Sequence, residues 1–342
     1  MAIPVAILAG CSGAGTSSTA TMTAAIGPLE TSSIVIDAVP TADAAGLYIA
    51  ADDGFFAKLG LTVKIVPING GEYGMGDLQT GKAQLIEGNY VSFVLAQVAG
   101  TFAAPNPKNP AEVLPTKPID MRIIADSSQM QPGNQALYVM PGSKFKTVAQ
   151  VARAHATVGV NSLHNIGSVL LGSLLTASGF KLSSVVQSPQ ILPEMPALLD
   201  KHKVQTAWLP EPFGTEAQQE YGAVRLADFD QGSLQNFPIG TIVGSTSWVK
   251  THPNTIAAFL EAYDQGQQIA DTDRSEVEKV LVANTGVSKL VAANMTLDTY
   301  PLVMDVPVMQ RVPDAMQEFG VLTKHYSITD MIQPEPGEIG GS

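Results

Sequence analysis

From Ser33 onward, apolar runs of strand length alternate with longer amphipathic ones. Ser33–Pro40 (SIVIDAVP) predicts a strand, and Thr41–Phe56 predicts a helix that begins near Asp43 and stops at Gly54. Leu61–Ile68 predicts a second strand and Glu72–Gly81 a short helix closed by Gly81. Ala83–Gly88 predicts a third strand and Asn89–Gly100 the helix after it. This alternation predicts parallel strands joined by crossover helices, an α/β fold. Five prolines between Pro105 and Pro118 then interrupt the pattern, and predict an exposed loop there.

The alternation resumes with strands at Asp120–Ser127 and Gln135–Ser143, the latter turning at Pro141-Gly142. A second α/β set follows: a helix from Thr147, the strand Thr157–Val160, and a helix Ile166–Ser178 capped by Gly179. Val185–Gln187, a helix from about Glu194, the strand Gln205–Leu209 and a helix from Glu211 complete it. Ile239–Val249 predicts a returning strand. The remainder is helical: Pro253–Asp271, then a capping box at Ser275–Glu278, with the last helix ending near Met331. Residues 333–342 form a polar tail. No tandem repeat of about 20–50 residues is present.

A chain of 342 residues exceeds one ordinary domain, so two domains or one large interrupted one is expected. The net charge of -12, without basic clusters, argues against nucleic acid and anionic membrane surfaces as partners. No apolar run reaches the ~20 residues that span a bilayer. The single cysteine, Cys11, excludes an internal disulfide framework and a thiolate metal cage. It follows Leu8-Ala9-Gly10 and precedes a small-residue polar tract, Ser12–Thr23. Leu-Ala-Gly-Cys resembles the bacterial lipobox, which implies lipidation of Cys11 and a flexible tether behind it. No basic n-region precedes Leu8, so either the true start lies upstream of Met1 or the signal is truncated.

Catalytic and cofactor motifs are missing. Gly76–Lys82 fits G-x-x-x-x-G-K, but Ala83 stands where a phosphate loop needs Ser or Thr, and the strand follows rather than precedes. It reads as a helix C-cap. There is no G-x-S-x-G, H-E-x-x-H or G-x-G-x-x-G, and the five histidines lie far apart. No catalytic residue, metal or cofactor is expected.

Polar and glycine residues gather instead at strand carboxyl ends, where open α/β sheets bind ligands. Thr41 and Asp43 follow the first strand, Gly71 and Glu72 the second, Asn89 and Tyr90 the third, and Asp126 ends the fourth. In the second set, Asn161 and His164 follow Thr157–Val160, and Trp208 and Glu211 follow Thr206-Ala207. Each also has a plainer reading: Asp43 and Asn165 as helix N-caps, Gly70-Gly71 as a tight turn, Trp208 as core.

Val39–Gly71 as a whole, and Tyr48–Leu61 above all, resembles the opening of periplasmic-type solute-binding proteins of ABC importers. The group meant takes nitrate, sulfonates, taurine and thiamine-pyrimidine precursors. Gly76–Ser92, Val158–Ser168 and Ala207–Ala217 also fit it. The resemblance implies a two-lobe, type II periplasmic-binding-protein fold, each lobe a mostly parallel sheet flanked by helices. Residues 33–134 plus 235–332 would make the first lobe and 135–234 the second, after a tether at 1–32. The hinge would lie near Ser127–Gln135 and Ser233–Gly240. It further implies a monomer that captures a small-molecule solute and passes it to an ABC permease and its ATPase subunits. The rival on this fold is a thiamine-pyrimidine synthase-like enzyme, whose cysteine-rich motif this chain lacks. Because the loops carry Asp43, Glu72, Asp126 and Glu211 and no Lys or Arg, a nitrogen heterocycle is expected over nitrate, a sulfonate or taurine.

Overall fold

The computed structural model describes residues 26–99, 104–106, 109–114 and 119–332. Cys11, its neighbours and the tail at 333–342 lie outside them. The strands among the described residues are β1 (Ser33–Ala38), β2 (Thr62–Pro67), β3 (Leu85–Asn89), β4 (Ala104–Asn106), β5 (Asn109–Leu114), β6 (Met121–Gln129), β7 (Gln135–Val139), β8 (Thr157–Val160), β9 (Val186–Pro189), β10 (Thr206–Pro210), β11 (Val224–Asp228) and β12 (Pro238–Ser245).

They form two five-stranded sheets, ordered β2-β1-β3-β12-β6 and β9-β8-β10-β7-β11, and a β4-β5 ribbon. The two orders follow one rule. In each sheet one strand runs against the rest: β12 is antiparallel to β3 and β6, and β7 to β10 and β11. These two are the strands that enter from the other lobe, β7 directly after β6 and β12 directly after β11. A parallel neighbour in the same sheet needs a crossover of a dozen or more residues. Connections as short as 130–134 and 229–237 instead cross to the other sheet, which makes two lobes on two crossing segments. β7 and β10 are buried along their whole length, as near-continuous apolar strands of a two-sided sheet must be.

Helix Ala45–Asp52 and helix Pro253–Thr272 cover one face of the first sheet, around Ile36, Leu47, Phe56 and Phe259. They touch at two glycines. A Cβ on Gly266 would lie 2.2 Å from the Gly46 carbonyl oxygen, so any side chain there would force the helices apart. A second apolar cluster runs unbroken through both lobes. It joins Ile86 and Phe93 of the first to Leu137, Leu171 and Trp208 of the second, and takes in Met309, Val312 and Met316 of helix Val306–Glu318.

Four details depart from the sequence reading. The proline-rich stretch holds the β4-β5 ribbon rather than only a loop. A two-stranded ribbon tolerates proline because each strand has an unpaired side on which no N–H is needed. β11 was not anticipated, since Val224 and Arg225 are exposed and the strand lacks an apolar run. Helix Arg274–Thr285 is capped by Asp273, which takes both the N–H and the hydroxyl of Ser275, so Ser275 is not the cap. The segment read as tether is fixed from Gly27 on. Glu30 accepts from the N–H groups of Asn254 (3.1 Å) and Thr255 (2.8 Å), and so caps helix Pro253–Thr272. At Gly76–Lys82, helix Met75–Thr80 ends on Gly81 at φ 73°, and Lys82 pairs with Asp77 at 2.7 Å.

Candidate functional site

The carboxyl ends of the strands of the two sheets face one another across the lobe boundary. On the first lobe, the turn after β1 buries Thr41, whose hydroxyl donates to Asp43 at 2.6 Å. Ser128 on β6 donates to the other Asp43 oxygen at 2.5 Å. Behind them Glu87 on β3 is fully buried, and it accepts from the Val39 N–H (3.2 Å) and the Ser127 hydroxyl (3.1 Å). Asp298, in the coil after helix Lys289–Asn294, accepts from the side-chain amide of Asn134.

Asp43, Glu87 and Asp298 lie close enough to act on one another. Burial raises the Asp43 carboxyl above the usual range. Burial, and then Asp43, holds Glu87 well above it. Burial, then Asp43 and Glu211, does the same for Asp298. No basic side chain takes part in any of the three shifts. Glu87 is sealed in, whereas Asp43 and Asp298 are half-buried and present the accessible face of the group.

Asp126 on β6 accepts a short hydrogen bond from the Tyr90 hydroxyl, and burial, reinforced by Asp305, pushes its carboxyl up to about 7. Asn89 takes the Ser92 N–H at 3.0 Å, so it works as a cap on helix Tyr90–Ala99. Gly71 and Gly88 let the turn at Gly71–Gly74 lie directly on β3: a Cβ on Gly88 would stand 3.0 Å from the Gly71 Cα. That approach aims Glu72 at the second lobe. Its carboxyl accepts from Ser92 of its own lobe (3.1 Å) and from Ser162 of the other (3.0 Å). Asn165 joins both hydroxyls and caps helix Ile166–Ala177.

The rest of the second lobe contributes less. Asn161 is buried with no partner on its side-chain oxygen among the described residues. His164 is exposed, in a left-handed backbone conformation. Glu211 turns back on its own helix, accepting the N–H (3.0 Å) and hydroxyl (2.8 Å) of Thr215, and burial pushes it up to about 6. Trp208 is only 2% exposed, its ring against Gly167 and its N–H given to Gln135 at 2.9 Å. In this arrangement it is core rather than a stacking face.

The structure therefore brings Thr41, Asp43 and Glu72 to the strand ends, with Glu72 bonded to the second lobe, whereas Tyr90 and Asp126 pair with each other inside the first. It adds Ser92, Ser127, Ser128, Ser162 and the acids Glu87 and Asp298, which sequence reasoning passed over. Glu87 had a signal, being the one acid in the apolar run Ala83–Gly88. Asp298 had none, since coil brings it in from far along the chain. Among the described residues no three His, Cys, Asp or Glu side chains are placed to hold a metal ion.

The NMT1-like family model matches residues 27–284. The chain belongs to the NMT1-like family. No curated protein sequence matches it. Among solved structures, the ligand-binding component of an ABC-type import system from Staphylococcus aureus, with zinc bound, is similar at 14% identity. That match covers 89% of this chain and 97% of that one, with a TM-score of 0.72. The periplasmic nitrate-binding protein NrtA from Synechocystis PCC 6803 matches at 16% identity over 86% and 83% of the two chains, TM-score 0.71. The desulfurization enzyme DSZB matches at 14% identity over 89% and 97%, TM-score 0.63. At these identities the likeness shows the fold, that of periplasmic binding proteins, and this member of the NMT1-like family shares it with receptors and with an enzyme.

Proposed function

We propose that this protein is an extracytoplasmic solute receptor of an ABC importer. It takes a small solute between its lobes and hands it to a permease driven by ATPase subunits. The solute is cationic or rich in N–H donors, a nitrogen heterocycle such as a thiamine-pyrimidine precursor. The observation that carries this reading is the group Asp43, Glu87 and Asp298 at the strand ends, with no basic partner. A helix N-terminus favours an anion by about 0.3–1 kcal/mol. Where any of the three ionises, that carboxylate at ~4 Å and an effective dielectric of 20 opposes an anion by about 4 kcal/mol, and a cationic solute is the ligand that would let these raised carboxyls ionise. An anion loses in such a site, and a donor gains.

No covalent step is needed. A solute that touches both lobes binds the closed form more tightly, and so shifts the open–closed equilibrium. The segments at 130–134 and 229–237 are where the chain passes between lobes, and the hinge belongs there. Lipid on Cys11 would hold the receptor at the membrane, and Cys11→Ser would release it into the soluble fraction. The synthase-like reading lacks support, because the chain has no cysteine besides Cys11.

Native mass spectrometry of gently purified protein, followed by calorimetry, tests the reading. A co-purified heterocycle and micromolar binding of aminopyrimidines support it. Micromolar binding of nitrate or a sulfonate, with no response to heterocycles, overturns it.

A further inference from the structure

The seam between the lobes holds a polar cluster that the solute-receptor reading does not use. Glu72, Ser92, Ser162 and Asn165 are each at most 4% exposed, and they come from both lobes. Their hydrogen bonds link both lobes. The Asn165 side-chain amide has two hydrogens and gives one to Ser92 Oγ (3.0 Å) and one to Ser162 Oγ (2.9 Å). Each hydroxyl has one hydrogen: Ser162 reaches Glu72 Oε1 (3.0 Å), and Ser92 reaches Glu72 Oε2 (3.1 Å), with the Asn165 oxygen a second acceptor at 3.2 Å. The amide oxygen of Asn165 takes the Ile166 N–H at 2.7 Å, which fixes the side chain and directs its amide hydrogens toward the hydroxyls. Two oriented hydroxyls thus converge on the two oxygens of one carboxyl group, at the start of the twelve-residue helix Ile166–Ala177. The hydroxyls, Asn165 and the positive end of that helix favour negative charge there, against burial, which on balance holds the Glu72 carboxyl above its usual range.

Donors that converge on two oxygens of a planar acid are what a free oxyanion would require. Here the occupant is a side chain of the protein. We propose that Ser92, Ser162 and Asn165 form an oxyanion cradle across the lobes, filled by the chain's own Glu72 carboxyl group, and that Glu72 thereby excludes small free oxyanions. The proposal rests on the receptor reading only in placing the cradle beside the solute, and it deepens that reading by naming the residue that sets selectivity. A free carboxylate, nitrate or sulfonate competes with a tethered group at high effective concentration, and cannot displace it. Removing the tethered carboxyl leaves the Ser162 hydroxyl without its acceptor, while Ser92 keeps the Asn165 oxygen, and a small anion relieves the cost at Ser162.

The test is anion rescue of Glu72→Ala. Calorimetry and thermal shift are run on wild type and variant with acetate, nitrate and methanesulfonate, with chloride as control. The wild type is expected to show no binding at 10 mM, roughly ten-thousandfold above a micromolar Kd. Glu72→Ala is expected to bind acetate at least tenfold more tightly than the wild type, and to lose that gain when Ser162→Ala is added. A folded Glu72→Ala that responds to none of the anions overturns the proposal, as does a wild type that binds them equally well. If Glu72→Ala does not fold, refolding yield is measured in acetate and in chloride at equal ionic strength. Recovery in acetate alone supports the cradle, and equal yields overturn it. Heterocycle binding by the wild type without anion gain in the variant sinks the cradle and leaves the receptor reading standing. Anion gain without heterocycle binding does the reverse.

Discussion

The two lobes share one strand order and differ in what they place at its end. The first lobe brings Asp43, Glu72, Glu87 and Asp298 to its strand ends, with Asp126 beside Tyr90 in the same lobe, all with carboxyls raised by burial. The second brings Asn161, Ser162 and Asn165, and one acid, Glu211, which turns to its own helix. Topology fixes where the loops converge, and the sequence of each loop decides the chemistry. A solute spanning this boundary meets acceptors on one side and neutral amide and hydroxyl groups on the other. On the receptor reading proposed above, that asymmetry would favour a molecule with N–H groups at one end and a polar, uncharged edge at the other.

The largest test asks whether the second lobe is scaffold at Trp208. Trp208→Ala is expected to cost about 3–5 kcal/mol of stability by chemical denaturation. Trp208→Phe should cost about 1–3 kcal/mol, because the Gln135 oxygen is left buried without its donor. If instead both variants are as stable as the wild type and lose solute binding, Trp208 is a cleft residue and the neutral side of the comparison fails.

The next effect is on stability against pH. A carboxyl raised on folding stabilises the protein below the ordinary carboxylate range, and that contribution is lost as pH rises through the folded value. With Asp126 at about 7 and Glu211 at about 6, the solute-free protein should lose stability between about pH 4 and 7. For Asp126, at about 1.4 kcal/mol per unit over about three units, the loss is on the order of 4 kcal/mol, or several degrees in Tm. Asp37 at about 6 and Glu216 at about 7 titrate in the same window elsewhere, so Asp126→Asn is the control that isolates its share. A Tm that rises over this window would show the acids to be paired, and would remove the case for a cationic solute.

The strand–helix alternation and its glycine stops made the α/β architecture legible, because periodicity and helix ends are written locally: Gly54 and Gly81 do end their helices. β11 was hidden because an exposed edge strand carries no apolar run. The site was legible as a set of loops and illegible as a set of partners. Asp43 and Asn165 were both visible. Nothing in the sequence said that Asp43 meets Ser128, or that Glu72 meets Ser162 of the other lobe, since those pairs are made by packing between distant segments.

A smaller effect is expected from single changes at the acids proposed to face the solute. Asp43→Asn keeps an acceptor oxygen for only one of the two hydroxyls, Thr41 or Ser128, puts an N–H donor where the other oxygen stood, and removes the charge. It should weaken a cationic solute by about 1.5–3 kcal/mol, roughly ten- to hundredfold in Kd by calorimetry. Asn161→Ala on the neutral side should cost less than tenfold. Equal losses at both would mean that the lobes contribute alike.

The smallest effect comes from an acid of the first lobe that lies away from the boundary, and it sharpens the comparison as its internal control. Glu30 is exposed. What burial it has works upward, but the N–H groups of Thr255 and Asn254, with the Thr255 hydroxyl, bring its carboxyl down to about 2. Its sign is therefore opposite to that of the boundary acids: its contribution is present above the ordinary carboxylate range and lost as pH falls toward 2. Solvent screening keeps the contribution to that of a helix cap, about 0.5–1 kcal/mol. Glu30→Gln should lower Tm by a degree or two at neutral pH and flatten the acid limb below about pH 4, while leaving the loss between pH 4 and 7 unchanged. Should the upper limb move as well, the docked segment at 26–32 and the lobe boundary are coupled through helix Pro253–Thr272, and the two kinds of first-lobe acid are not independent.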